Sequence, residues 1–162
     1  MINIWYFLWL CLFTLSLFSL LFFTANIIMR ALLSHCDFIE FKPVRKEIKT
    51  AKDVEIKNYR YEEILVAFVA IEKEDNEEKV EKMVSEIEIV AKRIGVNRIL
   101  VYPFAHLSNN LANPQVAQEL IEKLIQKLRE RNFEVYDAPF GWAKELHLKV
   151  KGHPLAENLR VV

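Results

Sequence analysis

The sequence predicts an α+β fold, an α/β-type sandwich in which a sheet packs with two main helices. Three features predict it. Two long segments carry apolar residues at helical spacing, short apolar runs around them read as strands, and no internal repeat recurs. The 162 residues are one domain's worth of chain, and 3 glycines and 5 prolines are too few for a disordered or low-complexity polymer.

The elements follow in order. Residues 29–37 (MRALLSHCD), continued by Phe38-Ile39-Glu40-Phe41, have the short apolar character of a strand. Residues 42–60 turn polar, with Lys42, Arg45, Lys46, Lys49, Lys52, Lys57 and Arg60 against three acids. They predict a solvated loop or hairpin or, in a sharper reading, a small electropositive lip that meets phosphate. Within residues 63–73, the unbroken apolar run Ile64 to Ile71 suits a strand covered on both faces.

Asp75, with Glu78 three residues on, forms a capping box for a helix over 76–94. Its stripe of Val80, Met83, Val84, Ile87, Val90, Ala91 and Ile94 faces a core, and Gly95 supplies the stop. Arg98 to Phe104 reads as the next strand and Ala105 to Asn113 as a loop. Asn113-Pro114 is an N-cap followed by proline at the first helical position. The second helix runs to about Arg131, burying Val116, Leu120, Ile121, Leu124 and Leu128. Phe133 to Tyr136 and Glu145 to Val150 complete the strands, split by Ala138-Pro139-Phe140-Gly141.

Charge and cysteine content exclude several classes. Lys plus Arg and Asp plus Glu are 22 each, so the net charge is zero, which argues against a protein that coats long stretches of nucleic acid. Two cysteines, Cys11 and Cys36, make neither a disulfide framework nor a four-ligand zinc site.

All the charge lies behind residue 28. The uncharged, Phe- and Leu-rich front is long enough for a membrane-spanning helix, but it lacks the basic start of a signal peptide. It also fits translated upstream sequence ahead of a true start at Met29. Residues 1–28 are therefore expected to be a misassigned start or else a membrane anchor.

There is no Gly-rich phosphate loop, HExxH, GxSxG or EF-hand pattern. No two of the four histidines His35, His106, His147 and His153 stand at i, i+4 on a helix, so no metal is expected. Cys36 reads as a buried, unreactive thiol rather than a nucleophile. Three loop-flanked segments resist explanation as packing: YPFAHLS (102–108), APFGWAK (138–144) and KGHPLAE (151–157). They set His106, Lys144 and Glu157 as polar members of an otherwise small, apolar pocket near strand ends.

These segments, with MRALLSHCDFIEF and EEILVAFVAIEK before them, run in an order that closely resembles the archaeal-type N-terminal editing domain of threonyl-tRNA synthetase, over residues 29–162. Members begin at the position of Met29, which favours the misassigned start. The resemblance implies a D-aminoacyl-tRNA deacylase-like fold with a mostly antiparallel or mixed sheet, and a cytoplasmic homodimer. It also implies hydrolysis of the ester between misattached L-serine and the 3′-terminal adenosine of threonine tRNA. The rest of the synthetase, which binds ATP, would be a partner in cis or in trans. No cofactor is implied for the editing domain and no membrane is expected.

Carried over by position, the main chain at Ala70, Ile71 and Ala105 would hold the seryl and adenosine groups. His106 would lie beside the ester. Phe140, with Gly141, Trp142 and Ala143 in the turn that follows, would contact adenine or the seryl amine. Lys144 would orient water or stabilise developing oxyanion charge. Glu157 would bind the seryl ammonium. Ala143 departs from the family, whose members carry tyrosine there, so the phenol's role is absent or passes to another group such as Trp142. Family attack is substrate-assisted through the adenosine 2′-hydroxyl, so no protein nucleophile is required. Two alternatives remain open at this point: a D-aminoacyl-tRNA deacylase, and a membrane-tethered interaction module docking through the 42–60 lip.

Overall fold

The computed structural model describes residues 29–162; both expectations for residues 1–28 lie outside the described residues. Six strands and two helices follow in the order β1 (Arg30–Lys46), β2 (Tyr59–Ala70), α1 (Glu77–Ile94), β3 (Arg98–Pro103), α2 (Pro114–Glu130), β4 (Glu134–Asp137), β5 (Trp142–Val150) and β6 (Glu157–Val161). A 3₁₀ turn, Ala105–Leu107, sits in the loop after β3.

The sheet is mixed, in the order β4-β3-β2-β1-β5, with β6 also on β1. β2, β3 and β4 are parallel and every pairing of β1 is antiparallel. β5 and β6 share one edge of β1: β6 takes Arg30 to Ser34, and β5 takes Cys36 to Lys46. Register shifts at Cys36/Phe38 and Pro43/Arg45 bend the long strand, as bulges do. The sheet consequently curls: Phe41, towards the far end of β1, meets the Tyr102 ring on β3 at 5.8 Å.

Alternation along the strands divides the core. Leu33, Leu65, Ala67, Ile99 and Val101 pack under the helices, against Met83, Ile87, Leu124 and Leu128. Cys36, Ile39, Ile64, Val66, Leu100 and Tyr102 fill the concave face. Covering both faces of β2 explains the unbroken run Ile64 to Ile71, which is buried throughout.

α1 starts one residue later than the capping box implies. Asn76 Oδ1 accepts the Lys79 N–H at 3.2 Å, and Asp75 instead accepts from the Glu72 N–H at 2.7 Å and pairs with Lys79. Both residues are good caps; the tie is settled by Asp75 being needed to hold the turn after β2. Gly95 closes α1 in the left-handed region, at φ 72°. Asn113 caps α2 as its Asn-Pro pair predicts, but Val116 is 41% exposed, and Ala117 and Ile125 complete the buried stripe.

The 42–60 segment is less of a loop than its charge suggests. β1 continues through it to Lys46, and β2 begins at Tyr59. β6 has no counterpart among the expected strands.

Candidate functional site

A cavity of about 590 Å³ opens where the C-terminal ends of β2 and β3 meet the 3₁₀ turn, the first turns of α2 and the start of β5. Ala70, Ile71, Ala105, His106, Phe140, Gly141, Trp142, Ala143 and Lys144 all border it. Elements distant in sequence thus bring together every expected site residue but one. Glu157 is the exception: it opens β6 opposite Ser34 of β1, whereas Ala70 pairs with Arg30 at the start of that strand.

The walls are mostly main chain and small or apolar side chains. The Val69 carbonyl accepts the Phe104 N–H at 2.8 Å, and the Ile71 carbonyl accepts the Ala112 N–H at 3.0 Å. These bonds fasten the β3–α2 loop to the end of β2. In the 3₁₀ turn, Leu107 and Ser108 donate to the carbonyls of Phe104 and Ala105. The amides of Ala105 and His106 stand ahead of those bonds, as the leading amides of any helical turn do. The His106 ring packs edge-on to Phe104, 5.2 Å between centroids.

Gly141 makes the opposite wall possible. Its φ is +73°, and its carbonyl accepts the N–H groups of Glu47 at 2.8 Å and Ile48 at 3.1 Å. A Cβ there would lie 2.9 Å from the Cβ atoms of both Ala51 and Ile48, so the close approach as well as the backbone angle calls for glycine. The Trp142 indole N–H donates to the Lys52 carbonyl at 3.0 Å, which commits that group to the loop rather than to the cavity. Glu47 and Ile48 line the cavity, but the cations of the lip are largely answered: Lys46 pairs with Asp53, Lys52 with Glu122 and Lys57 with Glu55.

Lys144 is the charged centre of the site. Its Nζ donates to the carbonyls of Pro139 at 2.9 Å and Trp142 at 2.8 Å and lies 4.8 Å over the Tyr102 ring. No carboxylate pairs with it among the described residues. Burial alone pushes its ammonium down to about 8. The same burial pushes the Tyr102 phenol up to about 12, so that hydroxyl stays neutral beside it. Such an ammonium, aimed by carbonyls and an aromatic face, suits a developing negative charge.

Cys36 lies elsewhere, fully buried, its thiol pushed up to about 11, first by burial and then by Asp37 and Glu157. That environment opposes thiolate chemistry. Among the described residues, no group of three or more His, Cys, Asp or Glu is placed to hold a metal, and no helix is long and apolar enough to cross a membrane. The lining residues that sequence reasoning missed are Glu47, Ile48, Val69, Leu111, Ala112, Pro114, Ala117 and Ile121. They reach the cavity only through tertiary packing, and nothing local marks them.

Residues 29–162 match the family described as the archaea-specific editing domain of threonyl-tRNA synthetase. The chain is 45% identical over 135 residues to threonine–tRNA ligase of Nitrosopumilus maritimus, with 83% of this chain and 21% of the relative covered. It is 48% identical over 139 residues to that of Thermococcus kodakarensis, with 83% and 22% covered. The chain therefore spans about a fifth of the length of the curated relatives it matches. Among solved structures it is similar to a c-Myc DNA unwinding element binding protein, with TM-score 0.62, 12% identity, and 81% of this chain and 97% of that one covered. It is also similar to a probable eukaryotic D-amino acid tRNA deacylase, with TM-score 0.59, 13% identity, and 84% and 100% covered. At such identities the likeness is one of fold, and the fold is the expected deacylase-like one. With a family match along its whole described length, the chain belongs to the archaea-specific editing domains of threonyl-tRNA synthetase.

Proposed function

We propose that this domain hydrolyses L-seryl-tRNA(Thr), freeing serine and restoring the 3′-terminal adenosine for correct charging. The observation that carries this reading is a cavity walled by peptide groups and small side chains around one unpaired, buried ammonium, Lys144. Editing needs such a site. Serine differs from threonine by one methyl group, worth about 1–3 kcal/mol in a pocket, so binding alone discriminates poorly. A second site that admits the hydroxymethyl group and excludes the added carbon supplies the rest.

In this reading the walls at Ala70, Ile71 and Ala105 fix the seryl and adenosine groups, and Phe140 to Ala143 border the adenine or the amine. His106 lies beside the ester. The adenosine 2′-hydroxyl positions a water, whose oxygen attacks the carbonyl carbon. Lys144 stabilises the tetrahedral oxyanion. Collapse breaks the ester C–O bond; of the attacking water's two protons one passes to the leaving 3′-oxygen and the other to solvent, as serine departs as its carboxylate. No protein nucleophile enters, which agrees with the inert surroundings of Cys36. Tyr102 is a phenol that borders the cavity, its ring beneath the Lys144 ammonium.

Glu157 is assigned to the seryl ammonium by family position, and the single chain keeps it away from the cavity. The domain acts as a homodimer, with threonine tRNA and the remainder of the synthetase as partners. The test is release of labelled serine from L-seryl-tRNA(Thr) by the wild-type chain and by Lys144→Met, with D-seryl-tRNA alongside. Release from the L-ester, weakened in the variant, supports the proposal. Release from the D-ester alone makes the protein a chiral editor and overturns it.

A further inference from the structure

Beside the main cavity lies a second, polar one of about 380 Å³, bordered by Arg30, Glu72, His106, Ser108, Asn109 and Asn110. His106 borders both, so a single imidazole stands between them. A guanidinium, two amides and a hydroxyl are groups that hold phosphate and sugar oxygens.

Arg30 is built into this position. Its Nε donates to Glu72 Oε1 at 2.9 Å, and Glu72 is buried while the Arg30 side chain remains 39% exposed. The carboxylate is thereby neutralised and fixes the guanidinium from the Nε side. The two Nη groups make no hydrogen bond among the described residues. The turn opposite is fixed as well: Ser108 Oγ accepts the Asn110 N–H at 3.0 Å, and the Asn110 carbonyl accepts the Lys73 N–H at 3.1 Å. Of the other cations near the site, Lys144 borders the main cavity and not this one, Lys73 does not line it, and Lys46 and Lys52 are paired with acids.

We propose that this second cavity is the subsite for the phosphate on the 5′ side of the terminal adenosine, with Arg30 as the group that binds it. The inference rests on the editing reading, since a nucleoside esterified in the main cavity must pass its 5′-phosphate to a neighbouring surface. The phosphate adds affinity and sets the entry direction of the chain, and the ester chemistry stays with the main cavity.

Two substrates that differ only in this group test it: 3′-O-seryl-adenosine and its 5′-phosphate. Wild type is expected to favour the phosphate by about tenfold in kcat/KM, the scale of one charge-assisted contact. Arg30→Gln should erase that preference while leaving seryl-adenosine within about twofold. With seryl-tRNA, the same variant should flatten the slope of log kcat/KM against log salt by roughly 0.7. Because Arg30→Gln leaves buried Glu72 unpaired, Asn109→Asp serves as a second variant, exposed and outside that pair. Its added negative charge should also lower the preference. Equal wild-type rates on the two small substrates, or an unchanged salt slope in Arg30→Gln, overturn the subsite while seryl-tRNA hydrolysis persists. Loss of seryl-tRNA hydrolysis by the wild type itself marks the distinct failure of the editing reading, and the subsite falls with it.

Discussion

Replacing Lys144 by methionine keeps the apolar stem and removes the ammonium. With its ammonium pushed down to about 8 by burial, Lys144 is about nine-tenths protonated at pH 7 and about one-tenth at pH 9. If the cation stabilises the oxyanion, wild type should exceed Lys144→Met by at least about tenfold at pH 7. That ratio should shrink between pH 7 and pH 9, by about fivefold for a tenfold effect and towards tenfold for a larger one. The assay is deacylation of L-seryl-tRNA at a series of pH values, with spontaneous ester hydrolysis subtracted from both proteins. A ratio that grows with pH would make the neutral amine the active form and refute the oxyanion role. Stability follows the same group with a definite sign. The folded state gives up this proton at lower pH than the unfolded chain, so the unfolded chain binds more protons from about 8 up to 10.5. Burying the ammonium is a cost below that window, on the order of 3 kcal/mol before its two carbonyl bonds are credited. Lys144→Met should therefore unfold no more readily than wild type at pH 7, and wild type should gain on it towards pH 10.

Other outcomes follow from individual contacts. Gly141→Ala, with its left-handed backbone and two Cβ approaches of 2.9 Å, should lose about 1–3 kcal/mol in urea unfolding and slow deacylation as the 47–51 loop shifts; unchanged stability would contradict the wall described here. Cys36→Ser should leave deacylation within about twofold, since the thiol lies in the core away from the cavity; an inactive variant would restore a thiol mechanism. His35 Nδ1 lies 2.8 Å from His153 Nε2, and burial, then Lys151 and His153, hold the His35 imidazole below its ordinary 6.5. The unfolded chain then takes up protons first, so stability should fall as pH drops below about 6.5, and the fall should flatten in His35→Asn, as read by urea midpoints at pH 5 and 7.

The helices and central strands were legible because each solves a local problem visible in the sequence. α1 and α2 carry single apolar stripes, Gly95 ends one in the left-handed region, and Asn113-Pro114 starts the other. β2 shows its two covered faces as an unbroken apolar run. The edges were not legible. The end of β1 to Lys46 and the start of β2 at Tyr59 are charged and half-exposed, as edge positions are, and read as loop. β6 is a five-residue strand defined by a partner far off in sequence, β1. The site divides in the same way. Resemblance in ordered segments named nine residues that share one cavity, whereas Ile48, Ala112 and Ile121 join it only because the sheet curls and α2 docks. The bond of Trp142 to the 47–58 loop likewise depends on that curl.

The central claim is that the cavity sorts by one carbon. The direct measurement is kcat/KM for L-seryl-tRNA(Thr) against L-threonyl-tRNA(Thr), taken with the same wild-type protein and the same tRNA. Serine should be released faster by more than about 200-fold, beyond the roughly 10–200-fold that one methyl group gives by binding alone, because steric exclusion adds to it. Equal rates for the two esters would contradict it.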